Sequence, residues 1–169
     1  MKKILVEKLP RIIKAKKKIE RDFNIKVTNR GKEIYIDGSP QNEYIAGKAI
    51  DAIDFGFSIA VATSMKKEEL DFEKVNIKGY THSKNLERVR GRIIGTSGKS
   101  LQTLSNLTNC YFERNGNNVG IIGAPEDIPI ATEAVIMLAQ GAKHGNVYKN
   151  IERNRPKMIP DLGLKESKE

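Results

Sequence analysis

The chain has few of the side chains that build metal centres and disulfide frameworks. It holds one cysteine, Cys110, and two histidines, His82 and His144, far apart in sequence. A single thiol cannot pair within the chain, which fits a reducing compartment, and so few soft ligands do not assemble a zinc site. Long hydrophobic runs are missing as well: no apolar stretch approaches the ~20 residues that cross a bilayer. The opening MKKILVEKLP starts like a secretion signal, but Ile4-Leu5-Val6 is followed at once by Glu7, too short an apolar segment for export. A cytoplasmic protein is therefore expected. No nucleophile–base–orienter triad, paired carboxylates or cofactor motif stands out, so neither an enzyme nor a cofactor is read from these residues.

Positive charge is what the chain has in excess. Lys and Arg number 30 against 21 Asp and Glu, a net charge of +9. A surplus of this size is not needed for solubility and points to a polyanionic partner. A membrane surface would call instead for an exposed apolar–basic helix without a globular body. The charge is also clustered. Lys8–Arg21 holds seven basic residues and one acid, Lys84–Lys99 five and one, and 143–157 again five and one. A charge run by itself is often only a solvated face.

With 169 residues the chain can form one ordinary domain or two small ones. It repeats itself, which favours two. NIKVTNRGKEIYIDGSPQNEYIAGKAIDAI from Asn24 aligns without a gap on NCYFERNGNNVGIIGAPEDIPIATEAVIML from Asn109, at an offset of 85. Asn24/Asn109, Gly31/Gly116, Ile36/Ile121, Gly38/Gly123, Pro40/Pro125, Ile45/Ile130, Ala46/Ala131 and Ala49/Ala134 are identical. A shared offset of this kind is the mark of an internal duplication. In each copy two short strand candidates flank an Asn/Gly turn. GSP or GAP then places a proline at the start of a helix, whose apolar residues recur at helical spacing. Upstream, Leu9, Ile12, Ile13, Ile19 and Phe23 mark an amphipathic helix, with Leu101, Leu104 and Leu107 as counterpart. Leading strands in KILVE and EKVNI complete a three-stranded sheet with helices on one face in each half, an α+β class. The halves join near Ser64–Phe72.

The segment RGRIIGTSGKS ends in letters that close a nucleotide-binding P-loop. That motif requires a glycine five positions before Gly98, where Ile93 stands. The preceding SKNLERVRGRII reads as a basic helix and not a buried strand, and no later strand ends in an Asp placed for Mg²⁺. Gly95-Thr96-Ser97-Gly98 reads instead as a turn between two helices. Glycines strip side chains from its surface, so a phosphate chain can approach the backbone N–H groups, the positive end of the next helix and Lys99. Taken alone, the same four residues would also suit a plain helix–turn–helix connection.

In its place within the repeat, Ile93 to Lys99, followed by Leu101 and Leu104, the hairpin and the last helix, resembles a type I KH domain in β-α-α-β-β-α order, from about Glu73 to Gly141. The first half keeps the frame with Pro10-Arg11-Ile12-Ile13 at the loop positions and Lys14 opposite Lys99, so it resembles a degenerate KH domain. The expected organisation is a degenerate domain over 1–68, a KH domain over 69–142 and a basic C-terminal extension over 143–169. A degenerate unit followed by one with a glycine loop resembles the archaeal and eukaryal KH proteins of small-ribosomal-subunit assembly, the partner-of-Nob or dimethylase-interacting family. IKGYTHSKNLERVRGRIIGTSGKS and the Gly-x-x-x-x-x-Val-Tyr element from Gly141 to Tyr148 carry the likeness. One departure is Thr96-Ser97, where the family commonly has a basic residue or glycine.

The residues expected to bind RNA are Lys84, Arg88, Arg90 and Arg92 on the basic helix, Ile94 beside the loop, and Gly95, Thr96, Ser97, Gly98, Lys99 and Ser100 in and after it. Arg114 and Asn115 belong to the opposite hairpin, and Lys149 and Arg153 to the basic tail. Lys84, Arg88 and Arg92 are expected on one helical face; Tyr111 and Phe112 alternate faces, so at most one of them can approach a base. Ile94, Leu101 and Ile121 would floor the groove or pack in the core. The resemblance implies an RNA-binding protein of ribosome biogenesis that holds the single-stranded 3′ region of small-subunit rRNA. It also implies as partners the endonuclease that matures that end and the alpha subunit of translation initiation factor two. The alternatives are a general KH binder of mRNA or in transcription, and a nucleotide enzyme. The basic helix of the first half suits protein contacts or backbone-only RNA contacts.

Overall fold

In a computed structural model, described here over residues 1–155, the sequence repeat is a repeat in space. The first half runs β1 (Lys2–Leu5), α1 (Leu9–Phe23), β2 (Lys26–Arg30), β3 (Glu33–Asp37), α2 (Pro40–Phe55) and the short α3 (Ile59–Thr63). The second runs β4 (Asp71–Asn76), α4 (Leu86–Ile94), α5 (Lys99–Thr108), β5 (Tyr111–Asn115), β6 (Asn118–Gly123), α6 (Ile128–Ala139) and α7 (His144–Asn154). Each half carries a three-stranded antiparallel sheet, in the orders β1-β3-β2 and β4-β6-β5.

The identities at offset 85 do the same work twice. Asn24 and Asn109 close α1 and α5 in the left-handed conformation, φ 52° and 56°, which Asn tolerates better than most residues. Gly31 and Gly116 begin the two-residue turns that join Arg30 to Glu33 and Asn115 to Asn118. Gly38 packs onto Ile25 and Gly123 onto Cys110, again one register apart in each copy. The prolines diverge. Pro40 opens α2, with Ser39 Oγ accepting from the Asn42 N–H at 3.2 Å, whereas Pro125 sits in a turn and α6 starts at Ile128, with Pro129 in its first turn.

The first half departs from the expected frame. Only Val6–Lys8 separate β1 from α1, and Pro10–Ile13 lie inside α1, so this half has no counterpart of α4 or of the glycine turn. The reason is local. Pro10 fits the first turn of a helix, no glycine interrupts the segment, and Ile12, Ala15, Ile19 and Phe23 bury one continuous stripe. Ile13 falls off that stripe and is 45% exposed.

The central strand of the second sheet, β6, is covered on both faces. Val75, Val119 and Ile121 join the core beneath its own helices, while Phe72 and Ile122, of opposite parity, join the core of the first half. Phe55, Phe57 and Phe72 form a three-ring cluster with centroids 5.7–6.0 Å apart, spacings at which aromatic pairs add to plain burial. Two of these rings sit directly on Gly120. A Cβ there would lie 2.7 Å from Phe55 Cε1 and 2.8 Å from Phe57 Cε2. Lys48 Nζ bridges to Asp71 Oδ1 at 2.9 Å across the same junction. In the segment assigned to a C-terminal extension, α7 buries Val147 and Ile151 in the second core, and 156–169 lie outside the described residues. Among the described residues, no helix is long and apolar enough to cross a membrane.

Gly120→Ala should destabilise the protein by about 1–3 kcal/mol through overpacking against the two rings. Gly79→Ala, with open space around its Cα, should stay within about 0.5 kcal/mol. Urea unfolding of both variants checks this. Burial pushes the Cys110 thiol up to about 11, so alkylation at pH 8 should be slow in the native protein and complete on unfolding.

Candidate nucleic-acid interface

The glycine turn follows from the residues at its two ends. Asn85 Oδ1 caps α4 by accepting from the Arg88 N–H at 3.1 Å. Val89 and Ile93, one turn apart, bury that helix against the second core. At its end Gly95 has φ 76° and ψ 173°, outside the regions open to other residues. Its missing side chain matters equally: a Cβ would stand 2.7 Å from Ser100 Cβ and backbone N. Ser97 and Gly98 follow at φ 53° and 75°, and the Gly98 N–H closes the turn on the Gly95 carbonyl at 3.2 Å.

Thr96, Ser97 and Lys99 are exposed. The next helix, α5, starts on Gly98 with no side-chain cap and no acid in its first turn. The N–H groups of a first helical turn have no partner within the helix, and the helix dipole makes that end favourable to an anion. Half-buried glycine backbone, a helix start without a side-chain cap and the Lys99 ammonium therefore converge on one spot, where the Lys99 N–H itself donates to the Thr96 carbonyl. Ser100 lies beneath it, 5% exposed, and its hydroxyl is the buried side-chain oxygen left without a hydrogen-bond partner among the described residues. It supports the turn from below and presents no side-chain surface.

Strand pairing fixes what stands opposite. β5 is an edge strand, and pairing of Phe112 with Ile121 and Arg114 with Val119 turns both toward the helices, since directly paired residues share a face. Phe112, like Leu101 and Leu107, packs against the margin of the second core, and Arg114 is exposed. Tyr111 points to the other face, 44% exposed, so Phe112 is the aromatic residue on the helix side. Asn115 also faces the other way, and its Nδ2 donates to the Phe55 carbonyl at 3.1 Å. It is a strut between the halves. Ile94 and Leu101 are half-buried near the turn, whereas Ile121 is fully buried in the core and offers no groove surface.

The basic helix divides its arginines between two tasks. Arg90 Nη1 donates to Asn117 Oδ1 at 2.6 Å, tying α4 to the β5–β6 turn. Arg92 Nη2 donates to the Ala142 carbonyl at 2.6 Å, and His144 Nε2 lies 2.8 Å from the Arg92 carbonyl oxygen. These two bonds fasten α4 to the α6–α7 connection. Arg88 is exposed on α4, but Lys84 precedes the cap and is not part of the helical face it was expected to share with Arg88 and Arg92. Lys149 and Arg153 lie one turn apart on the exposed side of α7.

The equivalent corner of the first half is filled by the protein itself. The Asp54 carboxylate accepts from the Glu7 N–H at 3.0 Å and from the Lys8 N–H at 2.7 Å. An internal anion thus sits where the chain enters α1. Nothing in the sequence marked this, because Asp54 is 46 residues away from Lys8. The packing of α7 was more visible: Val147 and Ile151 have helical spacing.

A β-α-α-β-β-α unit with sheet order β4-β6-β5 and a glycine turn between its first two helices is a type I KH domain. The profile of the eukaryotic type KH-domain (KH-domain type I), in its PNO1 second-domain form, matches residues 71–156. The chain belongs to the PNO1-type KH domain family. A KH domain-containing protein of Methanocaldococcus jannaschii is 35% identical over 156 residues, 85% of this chain and 66% of that protein. The pre-rRNA-processing protein pno1 of Aspergillus fumigatus is 29% identical over 113 residues, 64% of this chain and 45% of that protein. The chain thus spans less than two thirds of either relative. In space it is similar to a chain of the a/eIF2alpha–aDim2p–rRNA complex of Pyrococcus horikoshii, with TM-score 0.80, 31% identity, and 90% and 92% of the two chains covered.

Asp54→Ala should cost about 1–3 kcal/mol, the penalty for stranding polar groups that a partner had satisfied. Thermal unfolding read alongside Asp37→Ala, an exposed carboxylate at the end of β3, checks it.

Proposed function

We propose that this protein binds single-stranded RNA through its second half and acts in ribosome biogenesis, holding the 3′ region of small-subunit rRNA while that end is matured. The observation that carries the proposal is the start of α5, without a side-chain cap, beneath a turn that carries only the small side chains of Thr96 and Ser97, with Lys99 beside it. Phosphates of an RNA backbone would lie over Gly95–Gly98 and meet the turn's free N–H groups, the positive end of α5 and the Lys99 ammonium. KH domains clamp about four nucleotides in this way. Bases would lie toward Ile94, Leu101 and Phe112, with Arg114 on the far wall and Arg88 continuing the charge along α4. Arg90 and Arg92 would act chiefly by holding α4 in place, and Lys149 and Arg153 would extend the basic track along α7. The protein would work by binding and positioning RNA.

The choice of RNA rests on the relatives. One carries the name of a pre-rRNA-processing protein, and a structural neighbour was solved in a complex with rRNA and a/eIF2alpha. By the same likeness, the alpha subunit of translation initiation factor two and the endonuclease that cuts the rRNA 3′ end are the protein partners to test.

Thr96→Asp with Ser97→Asp should weaken binding of a single-stranded rRNA 3′ fragment on the order of 100-fold, because two carboxylates would face the phosphate. Both side chains are exposed, and Asp tolerates the left-handed φ of Ser97, so circular dichroism should stay unchanged. Equal affinity in the folded double variant would remove the clamp. Crosslinking in extract followed by sequencing of bound RNA tests the target: enrichment of unrelated messages over the rRNA 3′ end would favour a general RNA binder.

A further inference from the structure

We infer that the groove between β4 and α6 receives the chain's own C-terminal segment, with Met158, Ile159 and Leu162 on its apolar floor. The groove, of about 480 Å³, is floored by Val75, Ile128, Pro129, Thr132 and Ile136. Val75 and Ile128 are buried, Thr132 and Ile136 half-buried. Its rim carries Glu73 and Glu133, both exposed, an acidic excess over Lys74 in a chain of net charge +9. β4 is the sheet edge opposite β5, so this face lies on the far side of the sheet from the proposed RNA groove.

The duplication shows what an occupied face of this kind looks like. At the offset of 85, Tyr44, Gly47 and Lys48 of α2 correspond to Pro129, Thr132 and Glu133 of α6. Strand register matches Lys2 to Glu73, because Lys2 pairs with Ile36 and Glu73 with Ile121. In the first half the Lys2 side chain lies across the face. Its Nζ would stand 2.7 Å from a Cβ on Gly47 and lies 5.4 Å from the centre of the Tyr44 ring. Lys48 Nζ crosses to Asp71 Oδ1 at 2.9 Å and to Glu73 Oε1 at 3.9 Å. The first copy is thus closed by its own lysine and by the start of β4. In the second copy Glu73 replaces Lys2 and Thr132 replaces Gly47, and the apolar floor stays open among the described residues.

The chain brings its own occupant to this spot. α6 and α7 are joined by residues 140–143 and pack side by side, so the chain leaves α7 beside the start of α6. Asn150 Nδ2 donates to Met137 Sδ at 3.5 Å. At the far end, burial and then Glu126 push the Asp127 carboxyl up while the Arg155 guanidinium pulls it down. Ile128, next to Asp127, opens the groove. Residues 156–169 lie outside the described residues and begin Pro156-Lys157-Met158-Ile159-Pro160-Asp161-Leu162. The floor from Ile128 to Ile136 runs about 12 Å along the helix, and the five residues 158–162 reach about 17 Å when extended. Met158, Ile159 and Leu162 suit the apolar floor, Lys157 the acidic rim, and Asp161 the Lys74 ammonium. A tether this short gives an effective concentration in the millimolar range, so modest complementarity fills the groove. A second copy fits less well, because a stable dimer buries about 1,200–2,000 Å², far more than a strip one segment wide.

Disulfide trapping in the whole 169-residue chain tests this. One variant combines Thr132→Cys with Ile159→Cys. A control combines the same Ile159→Cys with Lys149→Cys, which is exposed on α7 and nearer to 159 in sequence. Cys110 is buried and stays in place. Under oxidised glutathione the groove pair should close within one chain about tenfold faster than the control, read by mass spectrometry of the digested protein. Adding Met158→Asp and Leu162→Asp should slow it about tenfold, to the control's rate. Circular dichroism checks each variant, and Glu133→Cys, exposed on the same helix, takes the place of Thr132→Cys if that change disturbs the fold. A groove pair no faster than the control would overturn the inference. So would a rate that the two aspartates leave unchanged, since it would reflect reach alone. Bonds formed mainly between two chains would assign the face to a second copy and overturn it as well. None of these readouts involves RNA, so the clamp and the docked segment stand or fall separately.

Discussion

The contact of Phe55 and Phe57 with Gly120 is the constraint on which the rest of the structure depends. It presses the outer face of the second sheet against the first half, so the sheet's central strand β6 is buried on both faces. A KH sheet standing alone would expose Phe72 and Ile122 to water. Here they complete the neighbouring core, and full burial of such side chains contributes about 1.5–3 kcal/mol each. Antiparallel sheets commonly leave one face solvated. This one does not, which makes the first half a structural partner of the second whatever else it binds.

The same junction disciplines the site. Asn115, at the end of β5, is drawn to the Phe55 carbonyl, and pairing then leaves Phe112 and Arg114 on the helix side. Arg90 and Arg92 pin α4 at two points, and Gly95 rests on the buried Ser100. The exposed turn is thus held from three directions while its own surface carries no side chain larger than threonine between the glycines. In the proposed phosphate site rigid backbone would count for more than charge, because the N–H groups must already point outward before the anion arrives. On that proposal Thr96-Ser97 would serve where basic residues are expected.

The duplication gave two halves with opposite solutions to one problem, the positive entrance of a helix. In the second half it is left open under a glycine turn. In the first half a carboxylate from α2 closes it, the glycine turn and the helix before it are absent, and the cations move out to the flank of α1. One missing segment and one aspartate separate an open helix entrance from a self-satisfied one.

Much of this was legible in one dimension. The offset of 85, the glycine turn, the failure of the P-loop spacing and the half that holds the turn are all patterns of neighbouring residues, and local backbone preferences enforce them. Asn24 and Asn109 became left-handed caps, and Gly31 and Gly116 became turns, because those conformations depend on the residue itself. Side-chain employment was not legible. Arg90, Arg92 and Asn115 look in sequence like free polar groups beside a binding loop, and Asp54 looks like one more surface acid. Only the tertiary structure decided which of them find a partner, because a hydrogen bond is settled by what lies within 3 Å in space and the chain had to fold before any of those neighbours existed.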